Sequence, residues 1–140
     1  MPGYSLLLDT HVIIWMAKDQ DRLPRSLMRA IEKVETRFVS HVSALEIQIK
    51  DEKHGPRFGF SLDLLEQTMK EFSCRELPIE YSDIQKMNQM RFQHPDPFDR
   101  LLMSQACRRP VYLATLDKDI IKTFEMNKAF FVFADRARPK

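Results

Sequence analysis

Short apolar segments alternate with longer amphipathic segments along the whole chain, and this alternation restricts the possible fold more than any other feature. The first apolar run, YSLLLD at residues 4–9, ends in an acid and is typical of a strand that is buried on both faces of a sheet. Because strands that alternate with helices form parallel sheets covered by helices, we expect an α/β fold. The expected architecture is a three-layer sandwich, with a mainly parallel central sheet of about five strands flanked by helices. The further strands are predicted at 37–40, 74–78, 111–115 and 129–134, with 74–78 as a short edge strand.

Helices are predicted between these strands from the spacing of apolar residues and from the polar residues and prolines that precede them. Ser61 is expected to cap one of the helices, and the segment HGPRFGF before it, which holds two of the three glycines, is expected to be a loop. The predicted helices cover residues 10–18, 25–34, 43–53, 62–72, 80–92, 96–109 and 118–125.

Length and composition describe an ordinary globular protein, predicted to be a single domain over residues 1–140. The 22 basic residues nearly cancel the 20 acidic ones, which excludes a broadly basic nucleic-acid coat and leaves room for a local basic groove. Cys74 and Cys107 lack the spacing of a metal site and are expected to be reduced thiols of a cytoplasmic protein. No apolar run approaches the roughly 18 residues that span a bilayer, so no membrane association is expected.

Four carboxylates are predicted at strand ends or near the beginnings of helices. Asp9 ends the first strand and Asp117 follows the strand at 111–115. Glu46 lies about one turn into the helix after the second strand, and Asp99 lies in the first turn of its helix. Because ligands of such sheets bind beyond the carboxyl ends of the strands, all four acids are candidates for one common site.

Each of these acids also has an interpretation as local structure. A glutamate three residues after a serine can complete a capping box, and an aspartate before a proline can cap a helix whose first turn favours a further acid. The residues that fit these patterns are Ser43 with Glu46 as the box, Asp96 as the cap before Pro97 and Asp99, Asp117 as a second cap, and Asp9 as a turn residue.

Two physical arguments favour a binding site over local structure alone. An unpaired carboxylate at the end of a central buried strand is costly. Four carboxylates that face one another repel unless they are protonated or neutralised by a cation. A hard divalent ion such as Mg²⁺ or Mn²⁺ meets both conditions, whereas the scattered histidines and cysteines disfavour zinc.

The segments LLLDTHVIIW, VSALEIQIK, HPDPFDRLLMSQA and LATLDKDI, in this order and at these separations, resemble the PIN (PilT N-terminal) domain. Among its subgroups, the chain looks most like the VapC-type toxins of bacterial toxin–antitoxin pairs, and the match runs from Leu6 to the final strand. Members of this family are metal-dependent ribonucleases that a cognate antitoxin usually holds inactive. The resemblance therefore implies an endoribonuclease that uses Mg²⁺ or Mn²⁺ and hydrolyses RNA phosphodiester bonds.

Carried over by position, the resemblance makes Asp9, Glu46, Asp99 and Asp117 the catalytic, metal-binding acids, with Asp9 and Asp99 as the favoured direct ligands. Thr115 matches a hydroxyl that commonly lines the family's site, and Thr10 is a further candidate beside Asp9. Arg100 either contacts RNA or pairs with a carboxylate of the site. Further basic residues could contact RNA phosphates or simply form solvated charged helix faces: Lys50, Lys53, His54, Arg57, Arg91, Arg108 and Arg109.

The resemblance also implies a homodimer and an antitoxin that wraps the early helices. The amphipathic segments 23–34 and 62–72 could form its groove or could pack on their own sheet. His11 is interpreted as a packing or capping histidine, and Trp15 as a core or subunit-interface residue. Two alternatives remain: a signalling α/β domain with a Mg²⁺-binding acidic site, which usually has a second acid directly after the first strand where Thr10 and His11 stand here, and a non-catalytic RNA-binding protein.

Overall fold

The computed structural model describes residues 4–89, 95–109, 111–127 and 131–133. The strands are β1 (Ser5–Leu8), β2 (Thr36–Ser40), β3 (Arg75–Leu77), β4 (Tyr112–Ala114) and β5 (Phe131–Phe133). The helices are α1 (Thr10–Lys18), α2 (Arg25–Lys33), α3 (His41–His54), α4 (Leu62–Glu71), α5 (Tyr81–Gln89), α6 (Pro97–Cys107) and α7 (Lys118–Asn127), with short 3-10 turns at Gln20–Arg22 and Gly55–Arg57.

The five strands form one parallel sheet in the order β3-β2-β1-β4-β5. The central strand β1 pairs through Leu7 with Phe38 of β2 and with Leu113 of β4. The predicted α/β sandwich is therefore confirmed, and so is the edge position of the strand predicted at 74–78. The sheet is parallel in all four of its described pairings, because a helix returns the chain to the same end of the sheet between strands.

The three leucines of β1 explain why helices cover both faces of the sheet. Successive side chains of a strand point to opposite faces, so Leu6 and Leu8 pack into one core and Leu7 into the other. All three are fully buried, and each such burial contributes roughly 1.5–3 kcal/mol. The first core includes Ile13, Leu27, Ile31 and Leu65, and the second includes Leu102, Met103, Leu113 and Ile120.

The strand order reverses next to β1. From β1 the chain moves to β2 and β3 on one side, and it then returns to place β4 on the other side. The Asp9 N–H donates to the Ala114 carbonyl at 3.0 Å, which holds the ends of β1 and β4 together. Such a switch point is where open parallel sheets bind ligands.

Helix α3 begins two residues earlier than the sequence predicted. Ser40, the last residue of β2, also caps the helix, because its hydroxyl accepts a 2.9 Å hydrogen bond from the Val42 N–H. Ser43 therefore lies inside the first turn, and the capping box with Glu46 is wrong. At the other end of α3, Gly55 adopts a positive φ of 55°, a conformation that strains residues with a side chain.

Other predicted helix boundaries hold closely. Ser61 caps α4 and accepts a hydrogen bond from the Leu64 N–H, as predicted. The predicted loop before it contains the short turn Gly55–Arg57. Among the described residues, no helix has the length and apolar character needed to cross a membrane.

Candidate active site at the carboxyl ends of β1 and β4

Asp9 connects the end of β1 to the start of α1 and is only 2% exposed. Its Oδ1 accepts a 2.7 Å hydrogen bond from the Thr10 N–H, and its Oδ2 accepts a 2.6 Å hydrogen bond from the Thr115 hydroxyl. Burial raises the pKa of Asp9 above its ordinary value, the hydrogen bonds and nearby His11 oppose that rise, and Asp117 adds to it. A cation placed beside Asp9 would stabilise its charged form.

Thr115 connects Asp9 to Asp117. Its buried hydroxyl donates to Asp9 and accepts a 3.0 Å hydrogen bond from the Asp117 N–H. The Asp117 Oδ1 in turn accepts hydrogen bonds from the N–H groups of Asp119 at 2.8 Å and Ile120 at 3.1 Å. Asp117 therefore caps α7, as one of its two interpretations predicted, and the same cap holds its carboxylate at the switch point.

The two aspartates border one cavity of about 200 Å³, which is lined by Asp9, His11, Trp15, Leu116 and Asp117. Its acidic donors are carboxylate oxygens, which suit hard ions such as Mg²⁺ or Mn²⁺ better than zinc. Within the described part of the chain, no three His, Cys, Asp or Glu side chains are placed to hold a metal ion together. The two aspartates at the cavity thus fit a divalent cation by their chemistry and supply part of a ligand set.

Glu46 lies on α3 and is 3% exposed. The Lys50 Nζ donates to its Oε2 at 2.8 Å, one helical turn further on, and this pair compensates the buried charge. Lys50, predicted to contact RNA, therefore forms an ion pair with Glu46 in this structure. Thr10 does not line the cavity: its hydroxyl forms a 2.8 Å hydrogen bond with that of Ser43 and ties α1 to α3.

Asp99 lies half-buried in the first turn of α6. Asp96 caps this helix by accepting a 2.8 Å hydrogen bond from the Phe98 N–H, which confirms the predicted cap before Pro97. Buried Gln105 anchors the same helix at the carboxyl end of β2, because it accepts a hydrogen bond from the Ser40 hydroxyl. Helices α3 and α6 pack together, so Glu46 and Asp99 are carried on neighbouring helices, although neither lines the cavity.

Some of the basic residues predicted to lie near RNA form ion pairs within the protein, and others are exposed. Arg108 and Arg109 pair with Asp83 and Glu80, so both guanidinium groups hold α5 against α6. Burial alone would raise the pKa of Asp83, but hydrogen bonds from Arg109, the Glu80 N–H and Arg108 lower it to about 2. Residues Lys53, His54 and Arg57 are exposed, whereas Arg91 lies outside the described residues.

Arg100 stands beside Asp99 and is partly buried. Its Nε is buried and has no hydrogen-bond partner among the described residues. A buried donor without an acceptor is costly.

His11 and Trp15, which the sequence indicates as packing, capping or core residues, both border the acidic cavity. His11 is exposed and Trp15 is partly exposed, so Trp15 only partly matches its interpretation as a core residue. Their spacing of four residues places them on one face of α1, directly after Asp9. The sequence contains a signal for this placement. Asp9 caps α1, and side chains in the first turns of a helix lie close to its capping residue, so His11 and Trp15 could be placed beside Asp9.

Comparison with known proteins identifies the family. The family model described as "PIN domain" matches residues 6–125. The fold is similar to a chain of VapBC2 from Rickettsia felis bound to a DNA fragment from its promoter, with a TM-score of 0.64, 14% identity and coverage of 92% of this chain and 97% of that chain. It is also similar to a chain of DNA-bound VapBC from Salmonella typhimurium, with a TM-score of 0.66, 17% identity and coverage of 93% and 97%. A search of curated protein sequences gave no match. The chain belongs to the PIN domain family.

Proposed function

We propose that this PIN domain is a metal-dependent endoribonuclease of the VapC type, which hydrolyses RNA phosphodiester bonds as the toxin of a toxin–antitoxin pair. The observation that carries the proposal is the arrangement of Asp9, Thr115 and Asp117 at the switch point of the sheet, beside a cavity of about 200 Å³. The fold shared with chains of two VapBC structures supports the choice of subgroup.

The cofactor proposed for the site is Mg²⁺ or Mn²⁺, held by Asp9 and Asp117 at the cavity, with Glu46 and Asp99 joining from α3 and α6. A divalent cation supplies activation of water and neutralisation of charge on the phosphate when it is bound. Asp9 is prepared for this task by its buried position and its two hydrogen bonds, which fix the direction of both oxygens. The Thr115 hydroxyl bonds both to the Asp9 carboxylate and to the Asp117 N–H, and it thereby holds the two residues next to each other.

The chain's own basic groups would position the RNA. Lys53 and Arg57 extend the exposed positive charge at the end of α3, and contacts of this kind bind phosphates without reading the sequence. Arg100 is partly exposed beside Asp99, so its guanidinium is a further candidate for a phosphate contact. Lys50 neutralises Glu46 and is 36% exposed, so it stays in the proposal as a phosphate contact as well.

A cognate antitoxin and a second copy of the chain are the proposed partners, in the cytoplasm. Leu45 and Ile49 lie one turn apart on α3 and are 49% and 41% exposed, and Leu62 and Leu64 of α4 are also exposed. These apolar residues support protein partners at α3 and α4. The apolar residues of α2, in contrast, are buried on the sheet, so this part of the predicted groove is occupied by the protein's own core.

The test is cleavage of total RNA by the purified chain with Mg²⁺ or Mn²⁺, compared with the same reaction in EDTA. We expect metal-dependent fragments from the natural chain and none from Asp9→Asn, while Asp63→Asn retains the activity. Asp63 is a matched control because it is an exposed acid in the first turn of α4. Cleavage by Asp9→Asn at close to the natural rate would contradict the proposal. RNA binding without metal-dependent fragments would favour the non-catalytic alternative.

A further inference from the structure

The cavity that holds the acids has an aromatic wall. His11 and Trp15 are separated by one turn of α1, so their side chains are neighbours on one face of the helix. Both line the cavity together with Asp9, Asp117 and Leu116. Trp15 packs against the core but is partly exposed. Core packing alone does not explain why the ring borders two carboxylates.

The positively charged side chain of Arg22 lies over the indole ring of Trp15. The guanidinium carbon of Arg22 is 4.4 Å from the centroid of this ring, a distance at which the cation and the ring attract each other. The Arg22 side chain is 61% exposed and also pairs with Asp19 at 3.5 Å. The guanidinium therefore covers one face of the indole ring, so a ligand ring can stack only on the other face.

Rings beside a catalytic acid pair fit one chemical class of ligand particularly well. An unpaired nucleotide presents a flat base, which stacks on aromatic side chains, and a phosphate, which is attracted to arginine. A base inside a duplex is already stacked on its neighbours and cannot reach such a wall without leaving the helix.

We propose that Trp15 is the platform on which an unpaired RNA base stacks beside the acidic cavity, on the ring face that Arg22 does not cover, with His11 as a second ring contact. This inference rests on the proposed ribonuclease function and assigns a base-binding side chain to it.

The experiment uses the fact that Trp15 is the single tryptophan of the chain, so tryptophan emission reports on this ring alone. Asp9→Asn protein, which is expected not to cleave, is titrated with a single-stranded RNA of about 12 nucleotides and with the same RNA in a duplex. We expect the single strand to change the Trp15 emission and the duplex to leave it nearly unchanged.

Affinity for the single strand is then measured by anisotropy of a labelled RNA. Trp15→Leu should bind roughly tenfold more weakly, since one base–aromatic stack contributes that much, and Trp15→Phe should recover most of the loss. Tyr81→Leu is the matched control, because Tyr81 is a 75% exposed aromatic residue that does not line the cavity, and its affinity should not change.

The inference and the proposed function can fail separately. If the natural chain cleaves RNA with Mg²⁺ but the single strand leaves the emission unchanged, the platform is wrong and the ribonuclease stands. If emission and affinity respond as expected but no metal-dependent cleavage occurs, the platform stands and the ribonuclease is wrong. The emission measurement needs no change at Trp15, so it remains decisive even if Trp15→Leu does not fold.

Discussion

The Thr115 hydroxyl donates a 2.6 Å hydrogen bond to the Asp9 Oδ2, although the two residues are 106 positions apart in the chain. The same hydroxyl accepts the Asp117 N–H at 3.0 Å. One buried oxygen atom therefore bonds to the carboxylate of Asp9 and to the backbone of Asp117, two residues that border the cavity. Both hydrogen bonds can be removed with little change in side-chain volume.

Thr115→Val should reduce the rate of RNA cleavage by a larger factor than it reduces the equilibrium constant for folding. Valine fills the same space but neither donates to Asp9 nor accepts from Asp117, so both acids lose their common anchor. A hydrogen bond to a charged group contributes about 1.5–3 kcal/mol, which corresponds to a roughly 10- to 100-fold lower rate if it acts on the reaction. RNA cleavage and urea unfolding are measured on the same protein.

Thr68→Val is the matched control for this comparison. Thr68 is a buried threonine whose hydroxyl donates to the Leu64 carbonyl inside α4, away from the cavity. We expect it to lose about 1 kcal/mol of stability and no activity. Equal rates for the two variants would show that Thr115 has no special role.

The central part of the fold could be predicted from sequence because local patterns and the fold agree there. Leu6, Leu7 and Leu8 present apolar side chains on both faces of the strand, which indicates a sheet that is covered by helices on both faces. The structure has this arrangement, and all three leucines are buried. The start of α3 was missed because Ser40 both ends β2 and caps the helix, and a strand that leads directly into a helix gives no separate capping signal.

The candidate site was only partly predictable. Asp9 and Asp117 could be assigned to one edge of the sheet, but their proximity depends on the pairing of β1 with β4, which no local pattern predicts. Lys50 lies four residues after Glu46, a spacing typical of ion pairs, and this pair could be predicted from the sequence beside the expected RNA contact.

Asp96→Ala and Asp99→Ala should have opposite effects although the residues belong to the same helix start. Asp96 caps α6 through the Phe98 N–H, so its loss should cost about 1 kcal/mol of stability and leave cleavage intact. Asp99→Ala should abolish cleavage and leave the fold largely unchanged. Thermal unfolding and RNA cleavage separate the two; an active Asp99→Ala protein would remove Asp99 from the proposed ligand set.

Lys50→Gln should destabilise the protein, whereas Lys53→Gln should not. The Lys50 Nζ compensates Glu46, which is nearly buried, but Lys50 itself is 36% exposed, so we expect a loss of about 1–2 kcal/mol on urea unfolding in EDTA. Exposed Lys53 should change stability by less than about 0.5 kcal/mol. If Lys50→Gln is as stable as the natural chain and only weakens RNA binding, Lys50 is an RNA contact after all.

The ion pairs of Asp83 should make part of the stability dependent on pH. Arg109 and Arg108 help to lower the pKa of Asp83 to about 2 from its ordinary value of 3.8. Because the folded protein binds this proton less readily than the unfolded chain, the stabilisation is present above about pH 4 and is lost as the pH falls toward 2. The shift corresponds to at most about 2 kcal/mol.

Asp83→Asn tests this through the difference in unfolding free energy between the natural chain and the variant, measured with urea at pH 7 and again near pH 2.5. The variant should be about 2–3 kcal/mol less stable at pH 7, because two arginines lose a buried partner, and the difference should shrink at low pH. Glu80→Gln is the control: Glu80 contacts the same arginines but is 61% exposed, so its effect should stay below about 1 kcal/mol. A difference for Asp83→Asn that is the same at both pH values would mean that its ionisation does not contribute to stability.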